Sequence, residues 1–125
     1  MAENGKHVIL YVDDDADYRE ALRAILEAEG YSMIEAPTAE DGLATFRESR
    51  PDLVIVDLMM EEIDAGTHFV KELRALGSAV PVYMLSSVGD SLTMSTDYAS
   101  LGLSGVFQKP INRDHLMSVL KSRLG

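Results

Sequence analysis

The spacing of apolar residues changes several times along the chain, and each change marks an element. His7-Val8-Ile9-Leu10-Tyr11-Val12 is apolar and β-rich and predicts a buried first strand over 7–12. From Ala16 the period becomes helical: Tyr18, Leu22, Ile25 and Leu26 recur at helical spacing, with Arg19, Glu20, Arg23 and Glu27 between them. Asp15 or Asp17 lies near the start of this helix, where an acid suits the dipole, and Gly30 supplies its stop. A short second strand follows over 31–36. Thr38-Ala39-Glu40-Asp41 has the form of a capping box and opens a second helix, with Leu43 and Phe46 inward, that ends before Pro51.

The next stretch, Leu53-Val54-Ile55-Val56-Asp57, has four consecutive apolar residues, three of them β-branched, and ends in a carboxylate. Its length and its Val/Ile content predict a third strand buried on both faces. Residues 58–66 read as an acidic loop carrying Glu61, Glu62 and Asp64. Phe69, Leu73 and Leu76, at i, i+4 and i+7, predict a third helix closed by Gly77. A fourth strand is expected over 80–85, with Pro81 near its start, running into Ser86-Ser87. Residues 91–101 predict a weak fourth helix, because Ser91, Thr93, Ser95, Thr96 and Ser100 compete for their own backbone. A fifth strand over 105–108 leads to Lys109-Pro110, and Asn112 caps a last helix with Leu116, Val119 and Leu120 inward.

Strand and helix thus alternate five times, which predicts an α/β single domain: a parallel sheet with helices on both faces. Composition adds exclusions. With 125 residues the chain is one domain able to bury a sizeable core. Its net charge of −10 argues against nucleic acid and anionic membrane as partners, since both need clustered Lys and Arg. The absence of cysteine removes disulfides, thiolate metal sites and Cys nucleophiles, and fits a cytoplasmic location. There is no long apolar segment at the start to serve as a signal peptide, and no apolar run reaches the roughly 18 residues of a membrane span.

In a parallel sheet the carboxyl ends of all strands share one edge. That edge collects Asp13 and Asp14 from the first strand, Asp57 from the third, Ser86 from the fourth and Lys109 from the fifth. Taken singly each has an ordinary reading: Asp13-Asp14-Asp15 as a solvated turn or cap, Ser86-Ser87 as a loop, Lys109-Pro110 as a turn with a surface lysine. Taken together their charges do not balance. Two carboxylates about 5 Å apart repel by roughly 3 kcal/mol at an effective dielectric of about 20. Lys109 supplies one positive charge against three negative ones, so a hard divalent ion such as Mg²⁺, with a phosphate oxygen among its ligands, fits the site. A carboxylate nucleophile could bring that phosphate by forming an aspartyl phosphate. His7, His68 and His115 have no metal-site or triad spacing, and no glycine-rich phosphate loop is present.

Val12-Asp13-Asp14, Asp57-Leu58-Met59-Met60, Pro81-Val82-Tyr83-Met84-Leu85-Ser86 and Lys109-Pro110 together resemble the motifs of receiver domains of two-component response regulators, chemotaxis-regulator-like ones included. The resemblance spans residues 6–124 and implies a flavodoxin-like, doubly wound, five-stranded parallel sheet of order 2-1-3-4-5 with five helices. It implies that Asp57 is the phosphoacceptor, served by a phosphohistidine of a sensor histidine kinase or a histidine phosphotransfer protein. It implies Mg²⁺ on Asp13, Asp14, Asp57 and the backbone carbonyl of Met59, a switch hydroxyl at Ser86, a phosphate contact from Lys109 and a cis bond to Pro110. Three features depart from the family's pattern. The run Glu61-Glu62-Ile63-Asp64-Ala65-Gly66 replaces a Pro-Gly turn and an Asp-Gly. Val106 stands where an aromatic switch residue is usual, so Tyr83 and Tyr98 become candidates for that role. Met59 and Val88 stand where polar side chains can position an attacking water, which implies a long-lived phosphorylated form.

The expectation is a phosphoacceptor signalling switch over 1–125, with no output domain and no enzymatic activity beyond its own phosphorylation and dephosphorylation at Asp57. Change around Ser86 and the fourth helix would alter a downstream protein contact through the fourth helix, fifth strand and fifth helix. Arg113, Lys121 and Arg123 form a local basic patch there, readable as a partner surface or as a solvated face suited to a helix C-terminus. The alternatives are a small Mg²⁺-dependent phosphatase with an aspartate nucleophile and a pseudo-receiver that never takes phosphate.

Overall fold

The computed structural model describes residues 7–57, 65–87, 103–109 and 111–124. Five strands, β1 (Val8–Val12), β2 (Ser32–Ala36), β3 (Leu53–Asp57), β4 (Val82–Ser87) and β5 (Gly105–Lys109), form one sheet in the order β2-β1-β3-β4-β5. Every pairing is parallel. Among the described residues there are four helices, α1 (Ala16–Ala28), α2 (Ala39–Ser49), α3 (Ala65–Ala75) and the C-terminal α4 (Arg113–Leu124). The helix expected over 91–101 lies outside the described residues.

The sheet separates two apolar layers, as the alternation of side chains along a strand requires. On one side Leu10, Val12, Val54, Val56, Val82 and Met84 meet Phe69, Val70 and Leu73 of α3 and the partly buried Leu43 and Phe46 of α2. On the other, Ile9, Tyr11, Leu53, Ile55, Leu85 and Phe107 meet Leu22 and Leu26 of α1 and Leu116, Met117 and Leu120 of α4. All five residues of β3 are buried, which explains its unbroken apolar run.

Local signals set the helix ends. The Asp15 carboxylate accepts from Asp17 N and Tyr18 N at 3.0 and 3.3 Å, so Asp15 is the cap of α1 and Asp17 a first-turn acid. Thr38 Oγ1 accepts from Asp41 N at 3.0 Å and Asn112 Oδ1 from His115 N at 2.9 Å. Gly42, inside α2, is required by close packing: a Cβ there would lie 2.8 Å from Val12 Cγ2 and 3.0 Å from Phe69 Cε1.

Some boundaries differ from expectation. The fourth strand begins at Val82 and takes in Ser86 and Ser87, because its ladder to β5 continues through Ser86↔Gln108 and Ser87↔Lys109. The third helix starts at Ala65, inside the stretch read as loop. Leu76, expected inward, lies just past the end of α3 and is 46% exposed, so the helical period no longer governs it.

Candidate functional site

Asp13 and Asp57 end or follow adjacent strands, and the ladder holds both in place. Asp13 N donates to Ala36 O at 3.1 Å, continuing the β1–β2 pairing one residue past β1. Asp57 closes β3 opposite Leu85. Asp13 is fully buried and Asp57 nearly so, while Asp14 is exposed. Carboxylate oxygens of Asp13, Asp14 and Asp57 lie within 4.8 Å of one another.

Lys109 reaches this cluster from the end of β5. Its Nζ stands 3.5 Å from Asp13 Oδ2 and 3.5 Å from Asp57 Oδ1. Burial opposes its charged form, but the carboxylates of Asp13 and Asp57 outweigh burial and hold its pKa above the ordinary lysine value. The ammonium therefore stays charged at neutral pH. Ser86 is buried, one residue beyond the register partner of Asp57, and its Oγ has no hydrogen-bond partner among the described residues. A buried hydroxyl left without a partner is costly and points to a ligand oxygen or water that satisfies it. Thus Asp13, Asp14, Asp57 and Lys109 converge as expected, and Ser86 sits at the same edge. Met59, Val88, Tyr98 and Pro110 lie outside the described residues.

The sequence does not announce the surroundings of the cluster. Tyr11, two residues before Asp13 and so on the same side of β1, donates its hydroxyl to Asp13 Oδ2. Burial, then the Asp13 carboxylate, push the Tyr11 pKa well above the usual phenol range, so the hydroxyl keeps its proton and remains a donor. Asp13 Oδ1 accepts from Asp15 N at 3.0 Å. Arg19 Nη1 donates to the backbone oxygen of Asp13 at 2.6 Å and Arg19 Nε to Glu35 at 3.1 Å, which places a guanidinium directly behind the acids. Tyr18 puts its ring 4.5 Å from Lys109 Nζ. The spacing of Tyr11 and Asp13 is the available signal for the first contact; the others are tertiary and leave none.

Tyr83 and the basic residues of the last helix make contacts within the fold. Tyr83, a candidate for the aromatic role, lies in β4. Its ring packs with Leu85 and Phe107 against α1 and α4, on the face opposite Met84, and stacks on Phe107 at 5.1 Å. Its hydroxyl accepts from Arg123 Nε at 2.7 Å. Val106 packs with the α3-side layer and carries no aromatic signal. Two of the three basic-patch residues also have partners within the fold. Arg123 is bound to Tyr83, and Arg113 pairs with Glu29 at 2.7 Å.

The donor set suits a hard cation. It is all oxygen, it comes from two strand ends, and its three formal negative charges face one ammonium. A parallel sheet of this order, with acids at the carboxyl ends of its inner strands and a lysine at the end of β5, defines a doubly wound α/β domain with an acidic site at its carboxyl edge. The chain belongs to the response regulator receiver domain family, whose model matches residues 9–121. It is thus a receiver domain of two-component systems.

Among its relatives is the transcriptional regulatory protein ZraR of Salmonella typhimurium, 34% identical over 120 residues, covering 96% of this chain and 27% of ZraR. The response regulator MprA of Mycolicibacterium vanbaalenii is 32% identical over 116 residues, covering 93% of this chain and 49% of MprA. The chain therefore spans half or less of the length of these relatives. Among solved structures, the chemotaxis response regulator CheY4 of Vibrio cholerae matches with a TM-score of 0.82 at 27% identity, over 95% of this chain and 99% of CheY4. Among the described residues no helix is long and apolar enough to cross a membrane.

Proposed function

We propose that this domain is a phosphoacceptor switch in which Asp57 takes a phosphoryl group from the phosphohistidine of a sensor histidine kinase or a histidine phosphotransfer protein. The observation that carries the reading is a carboxylate at a strand end, nearly buried, 3.5 Å from a charged lysine and grouped with two further acids. That arrangement sets a nucleophile at the carboxyl edge of the sheet, where doubly wound folds take ligands, while Lys109 stands ready for the negative charge of the incoming group.

A carboxylate oxygen of Asp57 attacks phosphorus, the phosphorus–nitrogen bond of phosphohistidine breaks, and the electron pair stays on the imidazole nitrogen. The product is an acyl phosphate on Asp57. Lys109 shifts its contact from the unmodified carboxylate to a phosphoryl oxygen. Ser86 Oγ, without a partner among the described residues, donates to another, which draws the end of β4 toward Asp57. Asp13, Asp14 and Asp57, with the Met59 carbonyl, would hold Mg²⁺, which would neutralise charge on the phosphoryl oxygens. Tyr11 and Asp15 N hold the Asp13 carboxylate in one orientation while this happens.

Downstream, the reading has a protein partner engaged through the expected fourth helix, β5 and α4. The net charge of −10 favours protein over nucleic acid as the direct partner of these 125 residues, and a cytoplasmic setting suits a kinase-fed switch. ZraR is a transcriptional regulatory protein with far more chain than the matched part, so nucleic-acid binding in such a protein need not involve this domain.

The test is intact mass after incubation with acetyl phosphate and Mg²⁺. Wild type gains one phosphoryl group and Asp57→Asn gains none. Turnover of added phosphate esters would favour the phosphatase alternative. No uptake by wild type would favour the pseudo-receiver.

A further inference from the structure

We infer that Tyr18 is a positioning residue for Lys109, its ring holding the ammonium at the mouth of the acidic cluster while its hydroxyl anchors the backbone just beyond it. The effect on phosphorylation rests on the phosphoacceptor reading above; the geometry does not.

Lysine is a point charge on a flexible four-carbon stem, so its direction must be imposed from outside. Three contacts impose it here. Two are the carboxylates of Asp13 and Asp57, each 3.5 Å from Nζ. The third is the face of Tyr18, whose centroid lies 4.5 Å from Nζ. The side chain of Lys109 is only 19% exposed, so little water competes with the ring's attraction. The carboxylates alone would let the ammonium settle between them, and their demand on it changes once Asp57 carries a phosphoryl group. An aromatic face attracts a cation without a single directional lone pair. The ammonium can therefore slide along it toward a phosphoryl oxygen and stay held.

The same residue fixes the other end of the stem. Tyr18 Oη accepts from Ile111 N at 3.1 Å, so α1 and the segment just past β5 are tied together two residues beyond Lys109. Tyr18 is itself well seated. It packs against the α1–α4 layer of the core, and its own N–H is bound by the Asp15 cap, whose backbone N–H donates to Asp13. Ring, cap, acid and lysine thus form a closed circuit around the site.

The test compares wild type with Tyr18→Phe, which keeps the ring and loses the anchor, and with Tyr18→Leu, which loses both. Folding of each is checked by thermal melt; if the leucine variant does not fold, Tyr18→Met takes its place. The first readout is the ring-current shift on the ε-methylene protons of Lys109 by NMR. It should persist in Tyr18→Phe and vanish in Tyr18→Leu, whatever the phosphorylation chemistry. The second is the rate of phosphorylation by acetyl phosphate with Mg²⁺. The rate should fall by roughly two- to threefold at most for Tyr18→Phe, and about tenfold for Tyr18→Leu, the order expected for losing a poorly hydrated cation–ring contact. A folded Tyr18→Leu protein with an unshifted Lys109 signal, or one phosphorylated as fast as wild type, overturns the inference. If wild type itself takes no phosphate, the phosphoacceptor reading fails, while the NMR comparison still decides the role of Tyr18.

Discussion

The acidic cluster should make the metal-free domain less stable than its own Asp57→Asn variant. The carboxylate oxygens of Asp13, Asp14 and Asp57 are within 4.8 Å of one another, so each pair repels by about 3.5 kcal/mol at an effective dielectric of about 20. Asp57 takes part in two such pairs, about 7 kcal/mol of repulsion. Against that, Lys109 Nζ at 3.5 Å attracts Asp57 by about 4.7 kcal/mol on the same scale. Replacing the carboxylate by the carboxamide would remove both terms and keep the shape and a hydrogen-bond acceptor for Lys109. On these two contributions the balance favours the variant by up to about 2 kcal/mol, since the exposed Asp14 is partly screened. For a domain of this size the gain corresponds to a Tm higher by roughly 5–10 °C. The assay is urea unfolding at neutral pH in EDTA, repeated with Mg²⁺. Wild type should be the weaker protein in EDTA and recover with Mg²⁺, by about 2.7 kcal/mol when the ion stands at about 100 times its Kd. A variant no more stable than wild type in EDTA would show that the three acids are not in mutual repulsion, and the case for a cation there would go with it.

Other outcomes follow from the same geometry. Tyr11→Phe removes a buried donor from Asp13 and should cost about 1–3 kcal/mol in urea unfolding; a neutral substitution would mean that Asp13 is held by its other contacts alone. Gly42→Ala should destabilise despite the roughly 1 kcal/mol gain in helix propensity, because its Cβ would meet Val12 Cγ2 at 2.8 Å; a higher Tm would refute the tight packing of α2. Glu35 is held below the usual glutamate pKa by hydrogen bonding to Arg23, against desolvation and with help from Arg19. A lowered folded pKa gives stability that is present above the unfolded value and lost as pH falls through the folded one. Glu35→Gln should therefore lose stability at neutral pH and match wild type below the acid transition, by a small margin because the pair is about one-third exposed; a difference independent of pH would remove the ionic explanation.

What can be read from the chain and what cannot divides along a physical line. β3 is legible because four buried apolar residues in a row, Leu53 to Val56, leave a continuous run with no other use. The cluster is legible because a parallel sheet brings all its carboxyl ends to one edge, so Asp13, Asp57 and Lys109 meet whatever their separation in the chain. Side-chain choices made across space are not. Nothing local says that Lys109 rests on Tyr18, that Arg19 takes the Asp13 carbonyl, or that Arg123 is engaged by Tyr83. The Tyr83 case is instructive, since one step along a strand moves a side chain to the other face, and that parity separates it from Val106 and Met84. Leu76 departs for a simpler reason: the helix that would have turned it inward has already ended.

Where the phosphoryl group goes is the measurement on which the phosphoacceptor reading depends most directly. Wild type is incubated with acetyl phosphate and Mg²⁺, reduced with borohydride, which converts an aspartyl phosphate to homoserine, and mapped by peptide mass spectrometry. Homoserine at position 57 and at no other acid, absent without Mg²⁺, is the predicted result. Homoserine in place of Asp13 or Asp14 instead, or an unmodified Asp57 in a protein that has gained phosphate, would contradict it.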